Sequence, residues 1–264
     1  MFGIISQDRT VFKKNFLRSI TFNSSYASTP QCTELREQFK NLFSDVMPKT
    51  DEMDGTRLLF KDKDVFVQKE ENAKQLTLRS NDVQRSMTLT NEACSYVIAG
   101  SQYKCSDELR TQYKKALMFL QTCGIKKMQK ISLRKQNILQ FNIKSAKNES
   151  VPSYEPLRKI MSENLLLQYD NINAINPFIS QSIQTLQLED NGYLLTIRYG
   201  YRILNKGSEN TESNGLVIID LDISKQEVPI DDVANIFDTF NTEIYNAFIW
   251  SLSEDFLNSL KSDE

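Results

Sequence analysis

The stretch Ser180-Gln-Ser-Ile-Gln-Thr-Leu-Gln-Leu188, then Glu189-Asp-Asn-Gly192, then Tyr193-Leu-Leu-Thr-Ile-Arg-Tyr-Gly-Tyr-Arg-Ile-Leu204 decides the fold class. Two alternating runs separated by Asn-Gly are a strong hairpin signal, because both turn residues tolerate positive φ. In the second run Leu195, Ile197, Tyr199, Tyr201 and Ile203 share one side. Thr196, Arg198, Gly200 and Arg202 share the other, since side chains alternate across a strand. A hairpin with one apolar and one polar face belongs to an antiparallel sheet wetted on one side. Beyond the Asn/Ser/Glu-rich loop 205–214, Gly215–Ile223 returns as another strand. It carries Asp220 and Asp222 on its polar side, opposite Ile219 and Leu221. If these strands pair, Arg198 sits across from an aspartate. A cross-strand ion ladder is one reading of that arrangement. A carboxylate pair for a divalent metal, with arginines for phosphate, is the other.

The same logic extends outward. Asn15–Phe22 alternates like a strand. Residues 33–46 space Leu35, Phe39, Leu42, Phe43 and Val46 as a helix, with Pro48 beyond the end. Strand-like runs follow at Arg57–Phe60, Val65–Lys69, Gln75–Arg79, Ser86–Thr90 and Cys94–Ala99, with turns at Asp62-Lys63 and Ser80-Asn81-Asp82. Ser106 can cap a helix whose face is Leu109, Tyr113, Ala116, Leu117 and Leu120, closed by Gly124. A long strand covers about Met128 to Ile143. Residues 144–156 read as a linker. A helix near Leu157–Gln168 precedes the hairpin. A long helix over about Ile230–Leu252 (Val233, Phe237, Phe240, Ile244, Phe248) and a short one from Ser253 end the chain. The expectation is an α+β protein of two lobes, residues 1–150 and 151–264, each an antiparallel sheet packed with helices.

Two absences narrow the chemistry. The 264 residues include no histidine, which removes the commonest general base and zinc ligand. The eight glycines form no GxGxxG or GxxxxGK[ST] frame, so neither a Rossmann fingerprint nor a Walker loop is present. Cys32, Cys94, Cys105 and Cys123 form no CxxC pair and read as reduced thiols. No run of 18 apolar residues and no signal-peptide pattern occur. The expected setting is cytoplasmic, with no membrane association and no cofactor.

Charge is divided along the chain. Leu109 to Lys147 contains ten Lys or Arg and no acid, whereas Glu209 to the end contains thirteen acids and two lysines. Such segregation points to partners or to internal docking. Lys114, Lys115, Lys126, Lys127, Lys130, Arg134 and Lys135, with Lys144 and Lys147 beyond them, are candidates for a polyanion-binding face, with Tyr103 and Tyr113 near enough to stack. A solvated face, or lysines guarding a strand edge, is the competing reading. Arg198, Arg202, Asp220 and Asp222 form the second candidate site. Trp250 and Tyr245, on the acidic C-terminal helix, are candidate docking anchors.

The residues Met87-Thr-Leu-Thr90, Tyr96, Tyr103-Lys-Cys-Ser-Asp107 and Lys130-Ile-Ser-Leu-Arg-Lys-Gln-Asn137 resemble a sporadically distributed prokaryotic family of similar length with no assigned activity. Leu133, Arg134 and Asn137 fit its L-R-x-x-N strand signature, while Lys130 and Lys135-Gln136 depart from it. The resemblance implies a cytosolic accessory protein, as in bacterial defence or a toxin–antitoxin pair. Together these readings favour a non-enzymatic binding or regulatory module. Its partner is another protein, or a second copy in a homo-oligomer, met through charged surfaces. A nucleic-acid-binding protein using residues 109–147 is the alternative, and a metal-dependent phosphoesterase using Asp220 and Asp222 is the third.

Overall fold

The computed structural model describes residues 1–6, 8, 12, 15–61, 64–103, 105–143, 155–166, 181–205 and 213–260. In chain order the elements are β1 (Leu17–Ser25), α1 (Gln31–Glu34), α2 (Arg36–Phe43), β2 (Lys49–Lys61), β3 (Asp64–Arg79), β4 (Arg85–Leu89), β5 (Ala93–Ala99), α3 (Ser106–Thr122), β6 (Lys127–Ile143), α4 (Glu155–Ile160), α5 (Glu163–Leu166), β7 (Gln181–Asp190), β8 (Tyr193–Asn205), β9 (Ser213–Pro229), α6 (Val233–Ser251) and α7 (Glu254–Leu260).

The strands form one nine-stranded antiparallel sheet in the order β2-β3-β4-β5-β1-β6-β9-β8-β7. The expectation of two lobes with a sheet each is therefore incorrect. β6, from the expected first lobe, has β1 on one side and β9, from the expected second lobe, on the other. Ile138 N–H of β6 donates to the Phe16 carbonyl, just before β1, at 2.9 Å. The lysines of β6 do not guard an edge, because β6 lies between β1 and β9. The linker expected at 144–156, with the boundary at residue 150, falls almost wholly outside the described residues. So do the Asp62-Lys63 turn, Lys144 and Lys147.

By compactness the chain divides into two units. One comprises Ile20–Leu133 and Ser224–Phe240. Its core forms because β1 alternates Ile20, Phe22 and Ser24 onto the side that meets α3. The ring of Phe22 meets Tyr113 edge-on at 4.2 Å and Phe237 at 5.2 Å. Phe39 of α2 packs on Phe43 at 5.0 Å and on Phe119 at 4.8 Å. Each such side chain contributes about 1.5–3 kcal/mol by leaving water. α3 buries Leu109, Tyr113, Ala116, Leu117 and Leu120, the stripe that its 3.6-residue period dictates. It ends at Gly124, φ 85°, with Gly124 N–H on Gln121 O and Ile125 N–H on Leu120 O. Ser106 does not cap it: the cap position is Cys105, with no side-chain bond. The runs Val65–Lys69 and Gln75–Arg79 belong to one strand, β3, paired along its length with β2 and bulged at Asp54/Gly55.

The other unit comprises Met1–Ser19, Arg134–Ile223 and Asn241–Glu264. The β7–β8 hairpin turns at Asn191, φ 50°, and Gly192, φ 76°, and pairs Asp190 with Tyr193. Leu195, Ile197, Tyr199 and Tyr201 of β8, and Val217, Ile219, Leu221 and Ile223 of β9, are buried. Gly200 faces Ile183 in the register. A Cβ there would lie 1.9 Å from the Ser182 carbonyl oxygen, so only glycine permits this approach of β7. The helix expected at 157–168 is instead α4 and α5, broken at Met161, which bridges to Leu252. Residues 167–168 are not among those described. Ser253 caps α7, accepting from the Phe256 N–H at 3.3 Å. No helix among the described residues is long and apolar enough to cross a membrane.

Candidate functional site

β6, β9 and β8 are neighbours in the sheet, and each contributes alternate residues to a common face. Lys135 of β6 reaches the Asn241 Oδ1 of α6 with its Nζ at 2.6 Å, which identifies the helix-covered face. Arg134, one residue earlier, lies on the opposite face. So do Asp220 and Asp222 of β9 and Arg198 and Arg202 of β8, because their odd-numbered neighbours form the buried core.

At the centre stands Asp220, only 3% exposed. Its Oδ1 accepts from Arg134 Nε at 2.7 Å and its Oδ2 from Arg134 Nη2 at 2.5 Å. Arg198 Nη1 stands 3.6 Å from the same Oδ2. The fork of Arg134 matches the carboxylate in a bidentate pair, and such charge-assisted bonds are worth about 1.5–3 kcal/mol each. The side chains of Arg134 and Arg198 remain 44% and 39% exposed, against 4% for Asp220. The guanidiniums thus roof the acid while their outer edges meet water. The bonds to Asp220, then the charges of Asp220 and Asp222, push the Arg134 pKa up from its already high value. Asp222 is half-buried and Arg202 exposed.

The remaining basic candidates differ in exposure and pairing. Lys114 is exposed and Lys115 half-buried on α3; Lys126 and Lys130 are exposed. Lys127 pairs with Glu227, and Arg110 of α3 pairs with Asp238 at 3.0 Å. Arg134 and Lys135, adjacent in the strand, point to opposite faces. Of the proposed anchors, Tyr245 donates its hydroxyl to the Asp8 carbonyl at 3.0 Å. Trp250, half-buried, lines a cavity of about 310 Å³ with Ile5, Ile249, Leu252 and Leu257.

Sequence reasoning set Arg198 against an aspartate but left the bidentate partner, Arg134, in the basic stretch. The pair spans 86 residues, and only the β6–β9 adjacency joins it. The signature residues Leu133, Arg134 and Asn137 acquire plain structural roles. Leu133 is fully buried, Arg134 holds Asp220, and Asn137 Nδ2 donates to the Ile219 carbonyl at 3.3 Å. No family model matches the chain, and no curated protein is significantly similar to it.

Proposed function

We propose that the chain is a non-enzymatic binding module that engages a protein partner through the polar sheet face bearing Arg134, Arg198 and Arg202. One observation carries this reading. Both oxygens of Asp220 are engaged by guanidinium groups, so the Asp220–Asp222 pair does not offer the open oxygen shell that a metal-dependent phosphoesterase needs. The same arrangement holds two arginines upright with exposed edges. Arginine in such settings is enriched where proteins bind one another. The nucleic-acid alternative is weakened because Arg110, Lys127 and Arg134 are neutralised by acids of this same chain, Asp238, Glu227 and Asp220. An accessory role in defence or a toxin–antitoxin pair rests on the L-R-x-x-N resemblance alone.

The test is native co-purification of the wild-type chain and an Arg198→Glu/Arg202→Glu chain from the same host. The reading expects a stoichiometric protein with the wild type that is missing from the variant. Retention of both chains on an oligonucleotide column, lost steeply with salt, would transfer the function to the basic segment instead.

A further inference from the structure

Resting on that reading, we infer that the partner presents an acidic peptide segment, and that Asp220 is the positioning residue for the guanidiniums that receive its carboxylates. Arg134 uses Nε and Nη2 on Asp220, which leaves Nη1 outside that pair on a side chain 44% exposed. Arg198 contacts Asp220 through Nη1 at 3.6 Å, and its side chain stays 39% exposed. Arg202 follows on the same face of β8, exposed and without an ion pair among the described residues. A planar guanidinium edge matches a carboxylate geometrically, and an arginine already fixed by a buried acid loses little entropy on binding a second one.

Charge decides between an acidic peptide and a nucleic acid. Around Asp220, Arg134, Arg198 and Arg202 stand against Asp220 and Asp222, a surplus of one positive charge; the exposed Lys130 shares the face of Arg134 four residues along β6. Glu189 shares the face but lies four residues along the strand, opposite Leu194. A surplus of one suits a carboxylate or two. It is too small for a phosphate backbone, whose affinity grows with the number of phosphates neutralised. The neighbours across the hairpin are Thr185 beside Arg198 and Gln181 beside Arg202, uncharged groups able to hydrogen-bond a peptide.

The experiment uses the full chain labelled with ¹⁵N-arginine and two probes of similar size, N-acetyl-hexaglutamate amide and hexathymidylate. The Nε–H resonances of Arg198 and Arg202 are expected to shift and saturate with hexaglutamate, at constant ionic strength. Arg202→Gln and Arg198→Lys should each weaken binding about tenfold, the lysine because it keeps the charge but not the fork. Asp220→Asn should weaken it as well, although both arginines remain. Should that variant fail to fold, the Arg198→Lys comparison decides. The inference is overturned if neither resonance moves, if Arg198→Lys binds like the wild type, or if hexathymidylate binds at least as tightly as hexaglutamate. If hexaglutamate fails while the Arg198→Glu/Arg202→Glu chain still loses its co-purifying protein, the acidic-segment inference falls and the binding reading stands. If that variant keeps its partner, both fall.

Discussion

Asp220→Asn is the most informative single change. Removing one member of a fully buried ion pair costs about 3–5 kcal/mol, because the other charge is left without a partner or water. Here the arginines are 44% and 39% exposed and can rehydrate, so only part of that penalty applies. Asparagine also keeps one acceptor oxygen for Arg134 but turns an amide toward the other donors. A loss of about 2 kcal/mol is expected, equivalent to about 4–8 °C in Tm for a chain of this size. Arg134→Met should cost at least as much, since it strands a buried carboxylate with a single contact at 3.6 Å. The double change Arg134→Met/Asp220→Leu should cost clearly less than the sum, because it removes both charges together. Thermal unfolding followed by the fluorescence of Trp250, the only tryptophan, gives all three values. An Asp220→Asn protein within about 0.5 kcal/mol of the wild type would refute the claim that this acid organises the face.

Other consequences are equally concrete. Gly200→Ala places a methyl 1.9 Å from the Ser182 carbonyl oxygen, so β7 must shift or detach, and a Tm loss larger than that of Asp220→Asn is expected. Burial pushes the Tyr96 hydroxyl and the Cys123 thiol up to about 12. Their neutral forms therefore favour the folded state. That contribution is intact below their unfolded pKa values and is lost as pH rises toward about 12, at about 1.4 kcal/mol per pH unit for each group. Tm measured from pH 7 to 11 should stay level at first and then fall, and Cys123→Ala should soften the early part of the decline. Of the four cysteines, Cys32, Cys94 and Cys123 are buried and Cys105 is exposed. A thiol reagent at pH 8 should therefore titrate one equivalent quickly in the native protein and four after denaturation; two or more fast equivalents would contradict the packing around α1 and α3.

What the residues disclosed in advance follows from the range over which each signal acts. The Asn191-Gly192 turn and the alternation in β8 are local, so the hairpin and the side occupied by Arg198 and Arg202 were readable. The apolar stripe of α3 was readable for the same reason. The join between β6, in the expected first lobe, and β9, in the expected second, has no such marker. Two strands from separate halves look alike whether they end two sheets or meet inside one, and the lysines of β6 resemble edge protection. Only the packing distinguishes the cases. Arg134 illustrates the consequence: its neighbours in sequence are basic, whereas its neighbour in space is Asp220 on β9. The divided charge of the chain is likewise in part a folding device, since Arg110, Lys127 and Arg134 each meet an acid from residues 220–238.

The central claim, that the face of β6, β9 and β8 around Asp220 is a binding surface, is tested most directly by hydrogen–deuterium exchange of the wild-type chain with and without its co-purified partner. Slower exchange in peptides covering 132–140 and 194–204, together with loss of that protection in the Arg198→Glu/Arg202→Glu chain, is the result expected. Protection confined to α3 around Lys114 and Lys115, with 194–204 unchanged, would contradict it.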